Sequence, residues 1–188
     1  DIKDAKVAIP VVLIAGLFWS FGPYVVRHID EAQQVPWQYL FTRGIVIFII
    51  LNLFLYLEEG KDFFYNYKKI GISGLIGGVG LGIAMISFIY SITNTSAAVT
   101  LLCLAAMPFI TALLGFMFLK EEISTNVWVA ISIATVGIII MAIDNTSNNT
   151  VIGLVFGLLS SIGFAVFSTT LRWKKDTPKF TTVAIAGL

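Results

Sequence analysis

One charge interrupts the long apolar stretches of this 188-residue sequence, and it is Arg43. A charged side chain at the centre of a bilayer costs roughly 2.5–3.5 kcal/mol on insertion scales, so such a residue is kept for a reason. Two reasons fit. A guanidinium facing a cavity grips a carboxylate or another anion in a bidentate pair. Alternatively, the same group snorkels to the headgroups or bonds the carbonyls of a neighbouring helix. Arg43 follows Trp37 by six residues, about 9 Å of helical rise, which puts it in the outer half of its segment. Other binding candidates are neutral. Trp19, Ser20 and Tyr24 form an aromatic and hydroxyl group on the first apolar segment, where a buried indole N–H needs a partner. Ser87, Tyr90, Ser91 and Asn94 recur at i, i+3, i+4 and i+7, one helical face that can line an outward vestibule or simply turn polar near water. Thr100, Cys103 and Thr111 are polar groups on the fourth segment, and each suits an interhelical bond as well as a ligand. Pro108 on the same segment cannot donate to the carbonyl of Leu104, so it should kink the helix and free that carbonyl for a side chain, water or substrate.

These residues suit recognition rather than bond-breaking. Enzyme sites need convergent His, Asp, Glu or Cys groups. The chain has one histidine, His28, and one cysteine, Cys103, and its apolar stretches hold no carboxylate. No internal disulfide and no Cys/His zinc site can be assembled, and no cofactor is expected. The run Gly78-Val79-Gly80-Leu81-Gly82 lacks the strand–turn–helix context of a nucleotide loop. Gly74, Gly78 and Gly82 instead form small-xxx-small pairs that let helices approach closely.

The elements that must position these groups follow from composition. Hydrophobic residues make up 57% of the chain and charged residues only 12%, about half the usual share for a soluble domain. Six apolar runs, 7–26, 37–57, 70–92, 97–119, 127–143 and 151–171, each match the ~17–25 residues of a spanning helix. A seventh begins near Phe180. Helix is the state that satisfies backbone polar groups within each run in lipid, so the expected fold is an all-α polytopic membrane bundle. Lysines and arginines fix an orientation. With the N-terminus in the cytoplasm, Lys3, Lys6, Lys61, Lys68, Lys69, Lys120, Arg172, Lys174, Lys175 and Lys179 lie inside, and Arg27 alone lies outside. The expected location is therefore the cell (inner or plasma) membrane, multi-pass, with the bilayer as one partner and no nucleic acid. Glu121 and Glu122 fall on the inner side, where they can pair with Lys120 or other basic residues of an inner gate, or stay solvated. The inner loop 58–69, rich in Phe and Tyr among charges, is expected to lie on the membrane surface.

The first and sixth runs are related. At a shift of 141 residues, Gly16, Leu17, Ser20, Gly22 and Val25 fall on Gly157, Leu158, Ser161, Gly163 and Val166. A unit of five helices reverses direction when repeated, giving the inverted-topology repeat of many secondary transporters, whose substrate sites lie near the midplane between repeats. The expected organisation is a first repeat over 1–145 and the start of a second over 146–188. Because the chain opens on Asp1 and stops inside a new apolar run, both ends are expected to be cut, with ten helices in the whole. By this alignment Ser161 joins the cavity candidates.

Several short motifs now occur in a telling order: Leu17-Phe18-Trp19-Ser20, Phe41-Thr42-Arg43-Gly44, Asn94-Thr95-Ser96-Ala97-Ala98, Ala105-Ala106-Met107-Pro108, Phe118-Leu119-Lys120-Glu121-Glu122, and Gly137 before Ile138-Ile139. The chain resembles the EamA-like family of the drug/metabolite transporter superfamily over essentially its whole length. The resemblance implies transport of small metabolites such as amino acids or related compounds, export among the directions it allows, and puts Trp19, Arg43, Pro108 and Glu121 at recurring family positions. The second repeat departs from that pattern, with Ser160 aligned to Trp19 and Ala184 to Arg43. The function expected is a secondary transporter of a small-molecule substrate working by alternating access, not an enzyme, with a homodimer allowed. A membrane-embedded enzyme and a non-transporting scaffold are the rival readings.

Overall fold

A computed structural model describes residues 2–28, 36–60, 63–144, 148–174 and 178–187. Within its helices the side chains of Trp19, Arg27 and residues 2–8, 141–144 and 148–150, with a few others, lie outside the description. The expected all-α bundle is what forms. The first two runs are α1 (Ile2–His28) and α2 (Pro36–Glu59), followed by the short α3 (Phe63–Lys69). The third run is α4 (Gly71–Asn94), the fourth is the pair α5 (Ala97–Leu104) and α6 (Met107–Leu119), and the fifth is α7 (Thr125–Asp144). The sixth is α8 (Asn148–Trp173), and α9 (Lys179–Ala186) closes the chain. Four segments among the described residues are long and apolar enough to cross a membrane: Pro36–Leu57, Gly71–Asn94, Ala97–Leu119 and Val151–Trp173. Thr125–Ile140 is a shorter apolar helix.

Local chemistry sets the joints. Gly60 and Gly71, both at positive φ (54° and 59°), bracket α3 with conformations that glycine adopts freely. The Tyr67 hydroxyl donates to Asn52 Oδ1 at 2.6 Å, and Asn52 Nδ2 donates to the Phe48 carbonyl at 2.7 Å, so α3 is braced against α2. The turn between α4 and α5 is only Thr95 and Ser96. Ser96 caps α5 by accepting from Val99 N–H at 3.1 Å, a normal N-cap contact. The fourth span does more than kink. The helix stops at Ala105–Ala106 and restarts at Met107, with Pro108 in the first turn of α6, where a missing N–H is tolerated.

The centre of the bundle is α8. It packs chiefly on α4 and also lies against α5 and α6, while α9 rests on α4 and α2. Between apolar helices in lipid there is no hydrophobic driving force, so close packing and hydrogen bonds hold them together. Small residues permit that approach. A Cβ on Gly163 would sit 2.5 Å from the Gly80 carbonyl oxygen, and one on Gly157 would sit 2.9 Å from Cys103 Cβ. Large apolar side chains such as Phe18, Phe41, Ile49, Leu57 and Ile133 are exposed. In water they would form adhesive patches. In a bilayer such surface suits lipid or a neighbouring helix.

Candidate functional site

The polar residues that the sequence singles out separate into three groups. The first is a dry seam between α4, α5 and α8. Ser91, Thr100, Ser160 and Ser161 are fully buried there. Ser91 Oγ donates to the Gly153 carbonyl at 2.7 Å. Its oxygen also lies 2.9 Å from Thr100 Oγ1, whose one proton is shared with the Ser96 carbonyl 3.2 Å away. Ser160 Oγ donates to the Ala84 carbonyl at 2.8 Å, and Ser161 Oγ donates to the Cys103 carbonyl at 2.7 Å. The Cys103 carbonyl also accepts from the Ala106 N–H at 3.0 Å, so the Ser161 hydroxyl adds a second, interhelical bond one residue before the Leu104 carbonyl that Pro108 cannot reach. Ser87 is buried in α4, on the helix that contributes Ser91 to the seam. Thr100 and Ser161 thus spend their hydroxyls joining helices. Ser160 carries an interhelical bond that only its pairing with Ser161 hinted at, because a 3.6-residue period gives a face but not the neighbour across from it.

The second group is an open cleft of about 330 Å³ between α2, α4 and the end of α9. Its walls are apolar, including Leu40, Phe41, Phe48 and Met85, with Arg43 half-buried among them. Among the described residues no carboxylate pairs with Arg43. One end is closed by a tight backbone crossing, where a Cβ on Gly44 would meet the Gly187 oxygen at 2.8 Å. At the other end Trp37 stacks edge-on against Tyr90, ring centroids 5.4 Å apart, and Tyr90 lies 5.3 Å from Phe156. These rings connect the Arg43 cleft to the α4–α8 seam. Asn94, one turn further along α4, donates to the Tyr90 carbonyl at 2.8 Å.

The third group lies at the opposite end of α8. Pro108, Thr111, Ser124, Ser168, Glu121, Glu122 and Arg172 line a cleft of about 520 Å³. Arg172 and Glu121 form an ion pair across it. The basic partner of Glu121 is therefore Arg172, fifty-one residues away in sequence, rather than the adjacent Lys120. On α1, Ser20 Oγ donates to its own Leu17 carbonyl at 2.7 Å, and Tyr24, 62% exposed, stacks on His28 at 4.0 Å. The side chain of Trp19 falls outside the described residues.

The geometry is that of a multi-span helical bundle with Arg43 set in an apolar cleft. A family model described as the EamA-like transporter family matches residues 6–143. The chain belongs to this family. Two curated relatives from Helicobacter pylori, strains J99 and 26695, are each named an uncharacterized transporter, and each is 26% identical to the EamA-like chain over 167 residues. The match covers 87% of this chain and 54% of each relative, so the chain spans about half the length of those proteins. An uncharacterized protein of Methanocaldococcus jannaschii is 25% identical over 139 residues, 73% of this chain and 98% of that protein. No solved structure matches the EamA-like chain significantly. Family membership makes the chain a multi-pass membrane protein of transporter type.

Proposed function

We propose that the full-length protein is a secondary transporter of a small metabolite carrying an anionic group, an amino acid or related compound, moved by alternating access between two five-helix repeats. The observation that carries this reading is Arg43, half-buried in an apolar cleft with no carboxylate partner among the described residues. An arginine in such walls suits a ligand's carboxylate, while Leu40, Phe41 and Met85 favour an apolar body. The lysine and arginine distribution supports a cytoplasmic N-terminus in the cell membrane. The first repeat is residues 1–145, and the second begins at 146 and continues in the full-length protein.

The test is flux in proteoliposomes against a panel of amino acids and related carboxylates. Wild-type protein is expected to move at least one of them above the protein-free rate. Arg43→Lys is expected to lower that flux about tenfold, because a point charge cannot replace a planar two-donor fork. No flux with any carboxylate, or full flux in Arg43→Lys, would overturn the assignment.

A further inference from the structure

Three features converge on one side chain at the far end of α8. The first is Lys120, which adopts a left-handed conformation (φ 55°, ψ 34°), a state disfavoured for any residue with a Cβ and one that the surrounding structure must enforce. The turn it makes is closed by Glu121 N–H donating to the Gly115 carbonyl at 3.2 Å. That folds the chain back on the last turn of α6 instead of letting it run on. The second is Gly115. A Cβ there would stand 2.6 Å from Glu121 Oε2, so a glycine is what lets the carboxylate lie across the helix. The third is the partner, Arg172, at the end of α8. The tail of the fourth span is thus shaped to present one carboxylate to one guanidinium on the helix that opens the second repeat.

What the pair covers gives it a purpose. The cleft that the pair borders runs along α6 from Gly115, beside the Glu121 carboxylate, back to Pro108, about 10 Å of helical rise, close to the Ala105–Ala106 break. Ser168, one turn before Arg172 on α8, and Thr111 line the same passage. We propose that Glu121 and Arg172 are the positioning residues of a clasp that shuts this passage at the end of the bundle where the lysines gather, and that the clasp opens and closes in the transport cycle. This inference rests on the transporter reading above. The Arg172 and Glu121 side chains are 44% and 39% exposed. An ion pair so close to water is weak, which suits a contact that must break once per turnover rather than one that holds the fold.

The test uses the full-length protein in nanodiscs, where both faces are accessible. Native cysteines are replaced by serine, a single cysteine is introduced by Ser168→Cys, and its reaction with a water-soluble maleimide is timed. Glu121→Gln and Arg172→Gln are each expected to speed labelling at least threefold. Gly115→Ala, which displaces the carboxylate without touching a charge, should do the same. The double reversal Glu121→Arg with Arg172→Glu should return the rate to within twofold of the parent. Unchanged labelling in the single variants overturns the clasp. So does a double reversal as fast as either single variant, since that marks local loosening rather than a charge-specific contact. Flux in proteoliposomes separates the two proposals. Measurable flux with labelling indifferent to these changes overturns the clasp alone. A labelling response with no flux for any panel compound overturns the transporter reading and leaves the clasp as the contact that closes this cleft.

Discussion

Helices α1 and α8 carry the same glycines in the same register, yet they live in different surroundings. Gly157 and Gly163 on α8 press against Cys103 and the Gly80 and Ala84 backbone so closely that no Cβ fits. Their counterparts Gly16 and Gly22 on α1 have no described atom within 4 Å of where a Cβ would stand. Ser161 on α8 donates across to another helix, whereas Ser20, its counterpart, donates to the carbonyl three residues earlier in its own helix. A shared motif therefore specifies a surface ready to be packed, and the neighbour decides whether that potential is used.

Substitutions can break this contrast. The largest expected effect is at Gly163. Alanine there meets backbone rather than a flexible side chain, so Gly163→Ala should lower the unfolding free energy in detergent by about 1–3 kcal/mol, the usual range for overpacking. Gly157→Ala should cost nearly as much, because its nearest contact, the Cys103 Cβ, is anchored to the backbone and only Cys103 Sγ and Ser91 Oγ can give way. Smaller losses belong to the hydroxyls. Ser160→Ala removes one interhelical bond to Ala84, and such bonds in membrane proteins average about 0.6 kcal/mol and reach about 1.7. Smallest of all, Gly16→Ala and Gly22→Ala should leave this chain unchanged within about 0.5 kcal/mol or stabilise it slightly, since alanine is the better helix former. In the full-length protein the comparison sharpens. If the second repeat lays its own third and fourth helices on α1, as the proposed symmetry requires, Gly22→Ala becomes as costly as Gly163→Ala. Thermal unfolding in detergent reads all five variants. Continued tolerance of Gly22→Ala in the full-length protein, with Gly163→Ala costly, would dissolve the parallel.

Much of the fold was legible because lipid imposes simple demands. Each of the six apolar runs became helix, with ends shifted by a few residues where polar neighbours such as Glu58, Glu59 and Asn148 extend a segment beyond its apolar part. The segment after α2, expected on the membrane surface, forms a short helix at Phe63–Lys69. The division of the fourth span was only half visible. Proline announces a disturbance, but not that it would fall in the first turn of a new helix, nor that Ser161 would bond the Cys103 carbonyl beside the break. The candidate site was less readable. Periodicity grouped Ser87, Tyr90, Ser91 and Asn94 on one face, and the fold divides that face between a buried hydroxyl bond at Ser91 and an aromatic contact at Tyr90. Arg43 stood out because a charge in lipid is costly wherever it lies. The pairing of Glu121 with Arg172 depends on a left-handed residue and on helices brought together from distant parts of the chain, and local pattern carries neither.

The interruption at Ala105–Ala106 makes the fourth span a jointed rod. Its first piece, α5, is tied down by the Thr100–Ser91 contact and by the Ser161 bond to Cys103. The second piece, α6, is thirteen residues long, about 20 Å. Among the described residues its polar tie to α8 lies at the free tip. Because α6 also packs along α8, any rotation at the joint must slide this helix pair, and Glu121, at the end farthest from the joint, would feel it most.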